Sequence, residues 1–489
     1  MLSPTKATLN PGRLFIGGEW RDPVSGRTFE SINPANGEPL TTVAEGGAPD
    51  VELAVQAARK ALTEGDWPKM GGGDRSKLLW RIGELLLKHR DELAELETLD
   101  QGKPIFESSK IDVPFAAEIF FYYSGWANKI EGDTIPARGG ALCYTLREPV
   151  GVCGLITPWN FPLLLMCWKL APALAAGCAV VHKPAQWTSL SALRFAGIAQ
   201  EAGVPPGILN IVTGKGSVAG AALASHPGVD KIAFTGSTET GREIMRAAAG
   251  TNKRLTLELG GKSPNIVFAD ADLEAAARGA AAGIFYNKGE VCAAGSRLFV
   301  QAPAHDALME ALLSRAAKWP LGDPLDPKTR VGPLVSEQQL QKVMGYVEAG
   351  KSEGARIVTG GRRAQVGDGG GYFLEPTVFT GVQNTMKIAR EEIFGPVLSV
   401  IRFEDFDEVL RRSNDTFYGL AAGVWTRDIK KAHRAARALQ AGTVWINCYS
   451  VYDPAVPFGG YKQSGFGREL GREGLDAYLQ TKSVWVDLS

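Results

Sequence analysis

The chain reads as an α/β protein built on a doubly wound, mostly parallel sheet. Two observations carry this. From residue 150 onward, short apolar runs alternate with helix-length stretches, the order that lays helices on both faces of a parallel sheet. A second alternating region, from about 258 to 447, repeats the pattern. At 489 residues and a prior of ~150 residues per domain, two or three domains are expected.

In chain order, Val51 to Leu62 shows a weak helical period, and Leu78, Leu79, Ile82, Leu85 and Leu86 recur at clear helical spacing. Residues 131–149, with Pro136, Gly139 and Gly140 between polar-apolar runs, predict a hairpin extending from the body. Gly151–Ile156, Ala179–His182, Ile208–Val212 and Lys231–Phe234 read as buried strands. Pro162–Ala176, Ser189–Ala202 and Ser217–Ser225 read as the helices between them. Residues 161–181 are apolar enough to suggest a membrane span. Lys169, Pro162 and Pro172 interrupt them, which favours a buried helix followed by a strand. The second region predicts helix 272–283, strand Ser296–Val300, helices 304–317 and 428–438, and strand Gly442–Asn447. Gly367–Gly371 reads as a solvent turn, because four glycines in five residues cannot hold regular structure cheaply. Ser483–Leu488 alternates like an exposed strand, and an unpaired strand there would offer an oligomerisation edge.

Composition narrows the function classes. Lys+Arg and Asp+Glu are equal at 53 each, so no net field draws nucleic acid or acidic lipid. Six cysteines (143, 153, 167, 178, 292 and 448) are dispersed, without a Cys-x-x-Cys or a His pair at ligand spacing. No metal site or disulfide framework is expected, and a reducing compartment fits best. Met1 to Lys6 carry no apolar signal core, so the expected location is cytoplasmic.

The chemistry centres on residues 285–297, Phe-Tyr-Asn-Lys-Gly-Glu-Val-Cys-Ala-Ala-Gly-Ser-Arg. An arbitrary free cysteine is usually buried and inert, but Gly289 and Gly295 bracket Cys292 in a turn that can offer its sulfur to a cleft. Glu258, in Leu-Glu-Leu-Gly-Gly-Lys, ends an alternating strand at Gly260-Gly261, the position where α/β folds gather catalytic groups. A thiol and a carboxylate together suggest covalent catalysis at a carbonyl, with later hydrolysis of a thioester. Asn160, in Pro-Trp-Asn-Phe-Pro between a strand and a helix, is on plain grounds a helix cap. Phe234 to Gly241 form a strand, a turn and a helix with Gly-x-x-x-x-Gly spacing, which a generic dinucleotide scan would pass over.

These segments, with His182-Lys183-Pro184-Ala185, Glu391-Glu392-Ile-Phe-Gly-Pro and the run 457–471, resemble the signatures of the NAD(P)-dependent aldehyde dehydrogenase superfamily, of the non-acylating, broad-specificity type. The resemblance spans roughly residues 14–489. It implies a Rossmann-like dinucleotide-binding domain (1–130 and 150–256), an α/β catalytic domain (257–456), and a small β oligomerisation arm with a C-terminal segment (131–149 and 457–489). It also implies a homo-oligomer, dimer or tetramer.

By the same resemblance Cys292 is the nucleophile, Glu258 the base that activates water, and Asn160 an oxyanion-hole donor beside the Cys292 amide; Lys169 and Glu469 form a secondary proton relay. Ile156, Thr157, Trp159, Lys183, Gln186, Gly216, Phe234, Gly236, Ser237, Gly241, Leu259, Gln339, Lys342, Glu392 and Phe394 would bind NAD. Gln186 stands where NAD-preferring relatives often carry Glu; being neutral, it should tolerate NADP. At position 290 the family most often has Gln, and the charge of Glu290 would raise the thiol pKa if it pointed inward.

The implied substrate pocket is Phe161, Leu164, Leu165, Trp168, Tyr286, Tyr449, Tyr452 and Phe458. None of these is basic or acidic, which favours aromatic or medium-to-long aliphatic aldehydes and disfavours semialdehydes that need a charged anchor. Betaine-aldehyde or aminoaldehyde dehydrogenase is the alternative, since cations also rest on aromatic rings. A CoA-acylating relative would not need Glu258, and a non-enzymatic role would not need the cysteine, asparagine and glutamate together.

Overall fold

The computed structural model describes residues 12–367 and 369–488. The leader reading at Met1–Lys6, and Asp368 within the glycine-rich turn, lie outside the described residues.

The first sheet has eight strands. Its five central ones, Arg254–Glu258, Lys231–Thr235, Val152–Ile156, Ala179–Lys183 and Leu209–Ile211, are parallel in that spatial order. Gly465–Phe466 adds antiparallel at one edge, Leu14–Ile16 and Glu19–Arg21 at the other. The first of the parallel strands in chain order, Val152–Ile156, sits between Lys231–Thr235 and Ala179–Lys183, so strand order reverses beside it. That reversal opens a crevice at the carboxyl ends of the strands. Register levels those ends: Phe234 pairs with Ile156, Ile156 with Lys183, and Thr235 with Glu258.

The helix Pro162–Ala176 is buried along its whole length, Lys169 included. The apolar run at 161–181 is therefore a core helix followed by the strand Ala179–Lys183. Leu163, Met166 and Leu170 are fully buried, and truncating such a side chain to Ala costs about 2–5 kcal/mol. Among the described residues no helix is long and apolar enough to cross a membrane.

The second sheet has seven strands, in the order Arg356–Thr359, Thr377–Thr380, Val397–Phe403, Arg297–Gln301, Pro264–Val267, Ala421–Trp425 and Thr443–Ile446. Leu273–Phe285, His305–Ala316 and Ile429–Ala438 match the expected helices within a few residues. Asp272 and Asp428 cap two of them, their carboxylates accepting backbone N–H groups.

The expected hairpin forms from Thr134–Pro136 and Leu142–Pro149. The terminal strand corrects the sequence reading. It runs Leu479–Val486, not Ser483–Leu488, and it is not unpaired: Leu479 faces Pro149 and Val486 faces Leu142 along a full antiparallel ladder. Among the described residues its other edge has no partner strand.

Candidate active site

Cys292 follows a turn that few sequences could adopt. Asn287, Lys288 and Gly289 all have positive φ, at 43°, 56° and 71°, which is costly for side chains other than glycine. A Cβ on Gly289 would meet Gly395 O at 2.1 Å. Buried polar bonds hold the turn in place. Asn287 N donates to Glu107 Oε2 at 3.1 Å, and Asn287 Nδ2 to Asn160 O at 2.8 Å. Lys288 Nζ donates to Gln101 Oε1 at 2.6 Å and pairs with Glu290 Oε2 at 3.0 Å.

Glu290 is thereby turned away from the sulfur. Its carboxylate accepts from Gln101 Nε2 and from Val335 N, each at 3.0 Å. Its backbone oxygen accepts from Asn160 Nδ2 at 2.9 Å. Asn160 does not cap the helix that follows, where Phe161 occupies the cap position without a side-chain bond.

Burial first, then the charges of Glu392 and Glu258, push the Cys292 thiol up to about 12. Glu258 ends its strand buried, with no hydrogen-bond partner on either carboxylate oxygen among the described residues. Burial, reinforced by Glu469, holds its pKa well above the carboxylate range, against the pull of Lys169. Lys169 pairs with Glu469 and donates to Thr235 Oγ1 at 2.6 Å. Thr235 is a residue the sequence reading missed. Its signal was its place at a strand end, one residue before Gly236.

Cys292, Glu258, Glu469 and Thr235 line one tunnel of about 330 Å³. All eight expected pocket residues line it too: Phe161, Leu164, Leu165, Trp168, Tyr286, Tyr449, Tyr452 and Phe458. Trp168 packs at 5.5 Å from Phe458 and 6.1 Å from Tyr452, and Phe161 stacks on Tyr286 at 6.0 Å. The expectation of an uncharged lining is corrected. Glu107 and Arg330 also border the tunnel, as do Phe106, Ile111, Phe115, Val291 and Trp319.

The crevice fits a dinucleotide. Lys183, buried at its strand end, has no hydrogen-bond or ion-pair partner among the described residues, and burial pushes its pKa down to about 8. It faces Gly216 and Gly220, where an added Cβ would lie 4.0 and 3.7 Å from its side chain. Gly236 and Gly241 admit no Cβ, which would meet the Phe234 ring at 2.4 Å and Leu259 at 2.6 Å. Ser237 caps the helix Thr238–Ala248 between them, and a helix N-terminus of this kind suits a pyrophosphate.

Ile156 and Thr157 lie at the end of the central strand, with Thr157 Oγ1 2.9 Å from His182 Nε2. Trp159 meets Phe394 edge-on at 5.1 Å, and Gln339 Nε2 donates to Phe394 O at 2.6 Å. Glu392 accepts from Gly261 N at 3.0 Å, and burial pushes its pKa up to about 7. Lys342 is exposed and meets this cluster only through its charge on Glu392. Gln186 is half-buried. Among the described residues no group of His, Cys, Asp and Glu is arranged to hold a metal.

A crevice at the switch point of a parallel sheet, opening on an apolar tunnel, is the layout of a dinucleotide-dependent oxidoreductase. A model of the aldehyde dehydrogenase family matches residues 20–484, and the chain belongs to that family. The human mitochondrial aldehyde dehydrogenase is 52% identical over 476 residues, covering 97% of this chain and 92% of that protein. A Bacillus cereus aldehyde dehydrogenase solved as an NAD+ complex superposes with a TM-score of 0.97 at 49% identity, covering 100% of this chain and 99% of that one. The indole-3-acetaldehyde dehydrogenase of P. syringae, solved with NAD+ and IAA, gives 0.97 at 46% identity, over 99% and 98% of the two chains. The protein is accordingly an NAD(P)-dependent oxidoreductase of aldehydes.

Proposed function

We propose that this enzyme oxidises apolar aldehydes, aromatic or medium-to-long aliphatic, to carboxylic acids through a covalent cycle on Cys292. The observation that carries this reading is the convergence of the thiol, the unpartnered Glu258 carboxylate and an aromatic wall on one tunnel, with the Asn160 amide tied to the turn that precedes the thiol.

Cys292 Sγ attacks the carbonyl carbon. A thiol held near 12 is protonated at neutral pH, so attack requires a base to remove its proton. Glu258 is suited to this whenever it is ionised, since nothing else occupies its oxygens. The second N–H of Asn160 Nδ2 and the Cys292 amide receive the oxyanion, a contribution on the order of 3 kcal/mol per donor. NAD(P)+, when bound, supplies the hydride acceptor that turns the thiohemiacetal into a thioester. Once its first proton has left, Glu258 takes another from water, whose oxygen attacks the thioester carbon, and returns it to the departing Cys292 sulfur, so that the acid and the thiol are released. Lys169, Glu469 and Thr235 form the polar chain next to Glu258 that can carry the thiol's first proton away.

Lys183, Gly236, Ser237, Gln339, Glu392 and Phe394 would hold the dinucleotide. Gln186 lacks the charge that repels a 2′-phosphate, so NADP+ is accepted beside NAD+. A cytoplasmic oligomer, joined through the open edge of Leu479–Val486, belongs to the same proposal.

The relative named for indole-3-acetaldehyde supports an aromatic substrate. The aromatic wall would also suit betaine aldehyde or an aminoaldehyde, but Arg330 repels a cation, and Glu107, pushed up to about 8 by burial, offers it little charge. The test is catalytic efficiency across acetaldehyde, hexanal, benzaldehyde, phenylacetaldehyde and betaine aldehyde with each cofactor. Hexanal and the aromatic aldehydes should lead, with NADP+ supporting a measurable fraction of the NAD+ rate. A lead for betaine aldehyde would overturn the apolar reading.

A further inference from the structure

The lining of the tunnel changes character along its length. Around Cys292 it is buried: Phe161, Trp168 and Phe458 are 8% exposed or less. Phe106 and Ile111, on the same lining, are 39% and 40% exposed, so they mark the mouth. Arg330 stands there, its guanidinium carbon 4.2 Å from the centre of the Phe106 ring. Nη1 donates to Pro327 O at 2.7 Å and Thr329 O at 2.9 Å, which fixes the side chain.

Among the described residues those two bonds leave Nε and Nη2 without a protein acceptor, and Arg330 forms no ion pair. Glu107, next to Phe106, is buried and engaged with Asn287 N, and Asp326, four residues before Arg330, accepts from Lys328 N at 2.8 Å. A stacked guanidinium held by two carbonyls, with its outer N–H groups free, is pre-organised for a carboxylate, which accepts two parallel N–H bonds.

We infer that Arg330, laid over Phe106 at the tunnel mouth, is a subsite for an anionic group at the far end of the substrate, so that the enzyme takes long-chain aldehydes carrying an ω-carboxylate. The aldehyde carbon lies at Cys292, the methylene chain fills the apolar bore, and the carboxylate rests on Nε and Nη2. This inference rests on the aldehyde oxidation proposed above and adds a substrate class to it. Chain length follows as a requirement. A short oxo-acid would place its charge inside the apolar bore, where an unpaired carboxylate is costly, whereas a long one carries it out to Arg330.

The test compares ω-oxo acids of about four to about twelve carbons with n-alkanals of equal length, in the wild type and in Arg330→Gln and Arg330→Lys. In the wild type the ratio of catalytic efficiencies, oxo-acid over alkanal, should start below one and rise above one with length. Arg330→Gln should lower that ratio for the long acids roughly tenfold, ~1.4 kcal/mol, through KM and not kcat. Arg330→Lys, which keeps the charge and loses the fork, should fall between. Added salt should erode the preference at this exposed mouth. A ratio flat with length, or unchanged in Arg330→Gln, overturns the subsite. Failure to oxidise the alkanals would instead strike the aldehyde reading itself, so the two failures are distinct.

Discussion

Asn160 donates from Nδ2 to the backbone oxygen of Glu290 at 2.9 Å, and Asn287 Nδ2 returns the favour to the backbone oxygen of Asn160 at 2.8 Å. Two loops from different parts of the chain are thereby locked together beside the sulfur. Asn160 thus serves to orient an amide next to Cys292, not to start a helix. Replacing Asn160 with Ala should lower kcat on the order of a hundredfold, the cost of one lost oxyanion donor, while cofactor affinity changes little. Steady-state kinetics with a titration of NAD+ binding would check both. A kcat within threefold of wild type, roughly 0.7 kcal/mol, would remove Asn160 from the chemistry.

Beneath that lock lies a fully buried ion pair, Lys288 with Glu290, bridged by Gln101. Removing one partner strands the other charge, which costs about 3–5 kcal/mol, whereas replacing both need not. Lys288→Met should therefore lower the apparent melting temperature markedly, and Lys288→Gln with Glu290→Gln should recover most of the loss. A double variant as unstable as the single one would show that the pair is not what the turn depends on.

The buried Glu258 also predicts a pH profile. Burial, then the charge of Glu469, holds its pKa well above the carboxylate range, so the ionised base accumulates only as pH rises beyond that range. Hydrolysis-limited turnover should therefore still be climbing at pH values well above the ordinary Glu range near ~4.3. The rise would vanish in Glu258→Gln. Turnover that is flat or falling above that range in the wild type would contradict the base role.

Much of the fold was legible because strands buried on both faces read as short apolar runs, as in Val152–Ile156 and in the Ile232–Phe234 centre of Lys231–Thr235. The register of Leu479–Val486 was not, since five of its eight residues are exposed and its partner lies more than 300 positions away. The sites of Cys292 and Glu258 showed in local motifs. The tunnel mouth did not: Phe106, Trp319 and Arg330 come from segments with no motif and meet only in the folded chain. The direction of Glu290 depended likewise on Gln101 and Val335, which sequence could not place beside it.

The central claim is that oxidation passes through an acyl group on Cys292, and a rapid-mixing experiment on Glu258→Gln tests it most directly. Mixed with NAD+ and hexanal, this variant should accumulate NADH up to about one per site, more slowly than the wild type because the thiol has lost its base, and then settle to a far slower steady state. Quenched protein should carry one acyl group, mapped to the peptide containing Cys292 and absent from Cys292→Ala. A burst with no adduct on Cys292, or turnover by Cys292→Ala within roughly tenfold of wild type, about 1.4 kcal/mol, would contradict the account.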